Sequence, residues 1–132
     1  LKGVMTAADA LLAVEAGADA IVVSNHGGRV LDHTPGAAEV LPEIADAVNG
    51  RVAVLADGGI RSGGDVLKML ALGADAVMIG RPFSIAAVGG LREGVANYIK
   101  KISEELRAAM VLTGTASAAA VDRGIVRIKS LR

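Results

Sequence analysis

The sequence has no cysteine among its 132 residues, which excludes a disulfide framework and a thiolate metal site. It has no excess of charge either, since 14 lysines and arginines balance 14 aspartates and glutamates. A nucleic acid or an anionic membrane surface is therefore not the expected partner, and a small neutral or anionic ligand fits better. No apolar run approaches the roughly 20 residues of a membrane span, because Gly, Asp, Glu, Lys or Arg interrupts each one. No basic segment followed by an apolar one opens the chain, so a soluble, cytoplasmic protein is the default expectation. Aromatic residues are only 2%, sparse for a self-sufficient domain, and the chain opens on Leu1-Lys2-Gly3 rather than Met. Both features point to a segment internal to a longer protein. Linker-like Pro/Gly/Ser stretches and low-complexity segments are missing too, so residues 1–132 read as one domain.

What the sequence has in quantity is aliphatic side chains and glycine: 52% of residues are hydrophobic and 17 are glycine. The first predicts an ordered core, and the second predicts tight turns and close backbone approaches, as in ligand-binding α/β proteins. Three short apolar runs, Ala20–Ser24, Val52–Ala56 and Ala76–Ile79, do not alternate polar with apolar. Strands of that kind are buried on both faces, the mark of a parallel sheet or barrel wall covered by helices. Around them, apolar residues three and four apart predict helices over Ala7–Ala16, Ala37–Val48 and Gly64–Leu72. Leu1-Lys2-Gly3 reads as the exit of a further strand. A Gly-Ala-Asp-Ala step recurs at 17–20 and at 73–76, each glycine closing a helix and each final alanine opening a strand.

After Ile79, Gly80-Arg81-Pro82 punctuates, a short apolar segment follows, and an amphipathic helix is predicted from about Leu91 to Leu112, closed by Thr113-Gly114. The tail from Ala116 to Arg132 is mixed. The fold class is α/β, with about half of the roughly 250 residues a complete (β/α)8 barrel needs. In such a half, outer strands lose their neighbours, and Val22, Val54, Ala56 or their neighbours are expected to face the barrel interior and lose their opposing layers. Exposed edges and apolar surface then favour a dimer or larger assembly, so a homo-oligomer is expected.

In a barrel of this kind the strand C-termini and the loops after them build the site. Ser24-Asn25-His26-Gly27-Gly28-Arg29 follows the first full strand, Asp57-Gly58-Gly59-Ile60-Arg61 the second, and Gly80-Arg81 the third. Two consecutive strands ending in glycine and arginine suit a phosphate, bound by backbone N–H groups and gripped by Arg61 and Arg81. His26 lies in a glycine-rich loop with Arg29 three residues on, as a base lies beside an anion clamp. Histidine can take a proton while arginine holds a carboxylate with two parallel hydrogen bonds. His33 reads as a surface residue. Lys2, at the end of its strand, would point into the same mouth and stabilise negative charge there.

These segments resemble the FMN-dependent α-hydroxy acid oxidases and dehydrogenases, a family that includes glycolate oxidase, lactate oxidase, mandelate dehydrogenase and flavocytochrome b2. The motifs that carry the resemblance are Leu1-Lys2-Gly3, Ser24 to Arg29 with Leu31-Asp32, Asp57 to Arg61 and Gly80-Arg81-Pro82, in order and spacing. The resemblance runs to about Ser117 and implies the C-terminal half of a TIM-type (β/α)8 barrel. It implies FMN as cofactor, His26 as active-site base, Arg29 on the substrate carboxylate, Lys2 at the flavin pyrimidine edge and Ser24 touching the flavin. Asp57, Gly58, Gly59, Ile60, Arg61, Gly80 and Arg81 would hold the ribityl phosphate. The implied reaction takes a 2-hydroxy acid to a 2-keto acid and passes two electrons onward to oxygen, a quinone or a cytochrome.

The chain departs from the family at Val30, where glutamine is frequent, and at Thr115, where some members have cysteine. An aspartate that orients the histidine and tyrosines that meet the substrate would lie upstream of Leu1. Two alternatives stand beside this one. One is a non-catalytic phosphate- or flavin-binding half-barrel. The other is a barrel of the inosine monophosphate dehydrogenase or isopentenyl diphosphate isomerase kind, against which Ser24 to Arg29 argues.

Overall fold

The computed structural model describes residues 1–127. Its elements are β1 (Lys2–Val4), α1 (Ala7–Glu15), β2 (Ala20–Val23), a 3-10 turn (His26–Gly28), α2 (Ala37–Val48), β3 (Ala53–Asp57), α3 (Gly63–Ala71), β4 (Ala76–Met78), α4 (Arg81–Leu112) and a second 3-10 turn (Arg123–Ile125). The four strands form one parallel sheet in chain order. The stub at the start is thus a paired strand, with Lys2 opposite Val22, and the outer edges fall on β1 and β4.

Helix starts follow local capping chemistry. Thr6 caps α1 by accepting from the Asp9 N–H at 3.1 Å, and Ser62 caps α3 by accepting from the Asp65 N–H at the same distance. Asp65 returns the contact through hydrogen bonds from the Ser62 N–H and hydroxyl. Gly17 and Gly73, with φ of 81° and 110°, turn the chain from helix to strand as their left-handed conformation allows.

The core occupies one face of the sheet. Val4, Ile21, Val23, Val54 and Ala56 are buried there with Ala10 and Ala13 of α1, Leu41, Ile44 and Val48 of α2, and Val66 and Met69 of α3. The other face carries Val22, Leu55 and Asp57, half-buried, and Ala53, Ala76 and Met78, exposed. The expectation that Val54 and Ala56 face a barrel interior is therefore corrected: they lie under the helices, and only Val22 of the three lies on the open face. Side chains alternate along a strand, and an all-apolar run does not reveal which parity faces the helices.

The second correction concerns α4. The segment before Leu91 is itself helical from Arg81, and Leu91 is the break, with φ 48° and ψ −135°. The arms 81–90 and 92–112 fold back on each other, so Phe83 and Tyr98, 15 positions apart, stack edge-on with ring centroids 4.9 Å apart. A straight helix would separate them by about 22 Å. Glycine makes the packing possible at two places: a Cβ on Gly94 would stand 2.2 Å from the Ala86 carbonyl oxygen, and one on Gly63 would stand 2.0 Å from the Leu106 nitrogen. The Tyr98 hydroxyl donates to the Arg61 carbonyl at 3.1 Å, and the Gly63 N–H donates to Glu105 at 2.9 Å, so the second arm is tied to the β3–α3 loop. The tail carries the Arg123 turn, where both guanidinium nitrogens grip Asp46 of α2 at 2.8 and 3.0 Å. The last five residues of the predicted tail lie outside the described residues.

Candidate active site

The C-terminal ends of β2, β3 and β4 open on a pocket of about 420 Å³ that Lys2 joins from β1; Lys2, expected at the end of its strand, is instead its first residue. Ten of the eleven sequence-derived candidates line it: Lys2, His26, Arg29, Asp57, Gly58, Gly59, Ile60, Arg61, Gly80 and Arg81. Ser24, the eleventh, is 1% exposed and sits beside them, bonded to Lys2. Four cationic side chains, Lys2, Arg29, Arg61 and Arg81, meet one carboxylate, Asp57, in the lining. Such a balance favours an anionic ligand.

The start of β1 is joined to the ends of β2 and β3 by one polar cluster. The Lys2 Nζ ion-pairs with Asp57 and donates to the Ser24 Oγ at 3.0 Å, and the same Oγ accepts from the His26 N–H at 3.1 Å. The other Asp57 oxygen, Oδ1, is the buried side-chain polar atom that finds no partner among the described residues.

The loop after β2 holds an unusual backbone. His26, Gly27 and Gly28 all have positive φ, at 55°, 68° and 72°. Sequence reasoning missed the residue that holds this shape, Asn25. Its Oδ1 accepts from the Gly28 N–H at 3.2 Å, and its Nδ2 donates to the Pro35 carbonyl at 3.1 Å, stapling both ends of the loop. Asparagine next to a His-Gly-Gly run was the available signal, since its side chain hydrogen-bonds nearby backbone and favours turns. The His26 ring lies over β1, its Cε1 3.7 Å from where a Gly3 Cβ would stand. Among the described residues neither ring nitrogen has a partner, whereas His33 faces Asp32 at 3.8 Å on the exposed surface.

The remaining loops form the other wall. Gly58 and Gly59 have φ of 97° and 75° and nothing within 4 Å of a Cβ position, so the turn and not crowding requires glycine. Ile60 lines the pocket yet is only 4% exposed and belongs to the core. Arg61 and Arg81 pair with no carboxylate among the described residues, and the Arg81 guanidinium lies 3.1 Å from where a Gly27 Cβ would be. The start of α4 and the histidine loop therefore touch. Just behind Arg61, burial pushes the Asp65 carboxyl up, but hydrogen bonds from Ser62, the Arg61 N–H and Lys68 outweigh it and hold it below the ordinary 3.8.

Comparison with known proteins places the chain in a family. The FMN-dependent dehydrogenase family pattern matches residues 1–128. An L-lactate dehydrogenase of Xanthomonas campestris pv. campestris (strain B100) is 55% identical over 122 residues, covering 92% of this chain and 32% of that protein. The L-lactate dehydrogenase of Xanthomonas euvesicatoria pv. vesicatoria (strain 85-10) is 54% identical over the same length. Crystal structures of mandelate oxidase, one with (S)-4-hydroxymandelic acid, superpose with a TM-score of 0.90 at 52% identity, covering 93% of this chain and 35% of that one. The chain spans about a third of the length of these relatives. Their fold places the four strands as part of a TIM barrel. No helix among the described residues is long and apolar enough to cross a membrane.

Proposed function

This chain belongs to the FMN-dependent dehydrogenase family, and on that premise we propose that it forms the part of an oxidoreductase that binds FMN and converts a 2-hydroxy acid to a 2-keto acid. The observation that carries the reading is the convergence of His26, Arg29 and Lys2 with two glycine-arginine loops on one pocket. The residues fit the cofactor. Backbone N–H groups of 58–60 with Arg61, Gly80 and Arg81 suit its phosphate, and Lys2 and Ser24 would meet its ring system. Once bound, FMN supplies a two-electron acceptor for the substrate carbon.

The chain's own groups do the rest. Arg29, exposed and without a carboxylate partner among the described residues, clamps the substrate carboxylate and so fixes its 2-carbon relative to His26. A His26 ring nitrogen accepts the substrate proton. Lys2 keeps a fixed positive charge where negative charge builds up. Relatives named L-lactate dehydrogenase and mandelate oxidase support a short or aryl 2-hydroxy acid as substrate. Oxygen, a quinone or a cytochrome would then take the electrons.

The test is His26→Gln in the full-length protein. FMN stays bound, since the phosphate loops are untouched, and turnover falls by about 10²- to 10⁴-fold. Undiminished reduction of bound FMN by the hydroxy acid would remove His26 from its role.

A further inference from the structure

We propose that Asp57 is a positioning residue for Lys2: its carboxylate aims the Lys2 ammonium into the pocket and sets how much uncompensated positive charge reaches a bound cofactor. The inference rests on the reading that Lys2 lies against FMN, and it assigns Asp57 to the lysine and not to the phosphate. A carboxylate repels a phosphate at close range, and the loops around it already supply three arginines.

Lys2 stands at the start of an edge strand, on a flexible stem with several rotatable bonds that would leave its charge spread over the mouth. Two acceptors from two other strands prevent this, Ser24 at the end of β2 and Asp57 at the end of β3. They are not equivalent. The Ser24 hydroxyl is neutral and also accepts from the His26 N–H, whereas Asp57 carries charge. Its second oxygen has no donor among the described residues, so no other group shares the carboxylate with Lys2. Asp57 is 17% exposed and Lys2 36%, a partly dry setting in which their attraction is stronger than on open surface. A cation beside a redox group favours its reduced form, and a counter-charge on that cation moderates the effect.

Asp57→Asn keeps an oxygen for Lys2 and removes the charge. In the FMN-loaded full-length protein it should shift the flavin toward the reduced form by about tenfold, or about 30 mV for a two-electron couple. Lys2→Met should shift it the opposite way, and the double variant should match Lys2→Met alone, because Asp57 acts only through Lys2. Asp57→Glu should restore the parent potential. An unchanged potential in Asp57→Asn, or the same shift with Lys2 absent, would overturn the proposal. A second measurement needs no flavin: amine labelling mapped by mass spectrometry in the cofactor-free protein. Asp57→Ala should raise labelling of Lys2 severalfold relative to Lys68 and Lys100, and an unchanged ratio would also overturn the proposal. A parent protein that takes up no FMN sinks the functional reading alone, and the labelling ratio then decides the inference.

Discussion

Ile21 and Val22 are neighbours in β2 and nearly the same chemically, yet Ile21 is 0% exposed in the core while Val22 lies half-buried on the opposite face. The contrast holds across the sheet. Residues of one parity meet Leu41, Ile44 and Val48 of α2 and the inner faces of α1 and α3. Residues of the other parity, Leu55 and Met78 among them, meet no helix of this core, and at the strand ends that face gives way to Lys2 and Asp57. The lesson is that hydrophobicity specifies a strand, while its partners specify which side of it carries stability and which side remains for chemistry. The covered face supplies rigidity, and the strand ends use it to hold charges near one another.

Truncation on the two faces should give unequal losses, and this is the largest effect expected. Ile44→Ala, at a site with no exposure, should cost about 2–5 kcal/mol, since it removes buried methylenes and leaves a cavity. Leu55→Ala on the open face should cost about 1 kcal/mol in the same chain, because less apolar area leaves water-free surroundings. Urea unfolding of both variants measures the gap, and equal losses would erase the distinction between the faces.

Acid sharpens the comparison on the covered side. The Asp65 carboxyl titrates below 3.8 in the folded chain, so the folded form binds fewer protons than the unfolded one. Its contribution is therefore present above about pH 4 and disappears as pH falls through the lowered folded value. Asp65→Asn should cost about 1 kcal/mol near neutrality, as lost caps do, and should flatten the stability profile on the acid side. Denaturant midpoints from pH 2 to 6 check it.

The smallest effect belongs to the helix arm beside the pocket. Leu91 is exposed and sits at φ 48°, ψ −135°, outside the conformations an L-residue prefers. Leu91→Gly should relieve about 1 kcal/mol or more of strain, partly offset by the greater freedom of glycine in the unfolded chain. A net gain of a few tenths in thermal or urea stability is the expected result, and a clear loss would show that the Leu91 side chain packs.

Much of the fold was legible because it is written in short-range chemistry. Apolar runs marked β2, β3 and β4 to within about a residue or two of their ends, and Gly-Ala-Asp-Ala marked both helix-to-strand turns. That the candidate residues gather in one place was legible too, since residues that follow a parallel strand emerge at its C-terminal end, and ten of eleven candidates line one pocket. The break at Leu91 was not, because a leucine at positive φ is stable only where packing across the two arms, Ala86 against Gly94 and Phe83 against Tyr98, compensates it. The clasp of Asn25 on Pro35 was likewise invisible, as it closes a loop whose path the local sequence does not impose.

The sequence by itself determined the alternation of helix and strand, the caps, the left-handed turns and the list of polar residues that end each strand, because each depends on groups only a few bonds apart. Tertiary structure alone decided which strand parity is covered, since that requires helices to pack on one side. It also decided that Lys2 meets Asp57, 55 residues away, and that Arg81 meets Gly27. Those contacts arise because parallel pairing sets Lys2 of β1 beside the C-terminal ends of β2 and β3 and gathers the segments after β2 and β4 on one rim, a proximity that no local propensity encodes.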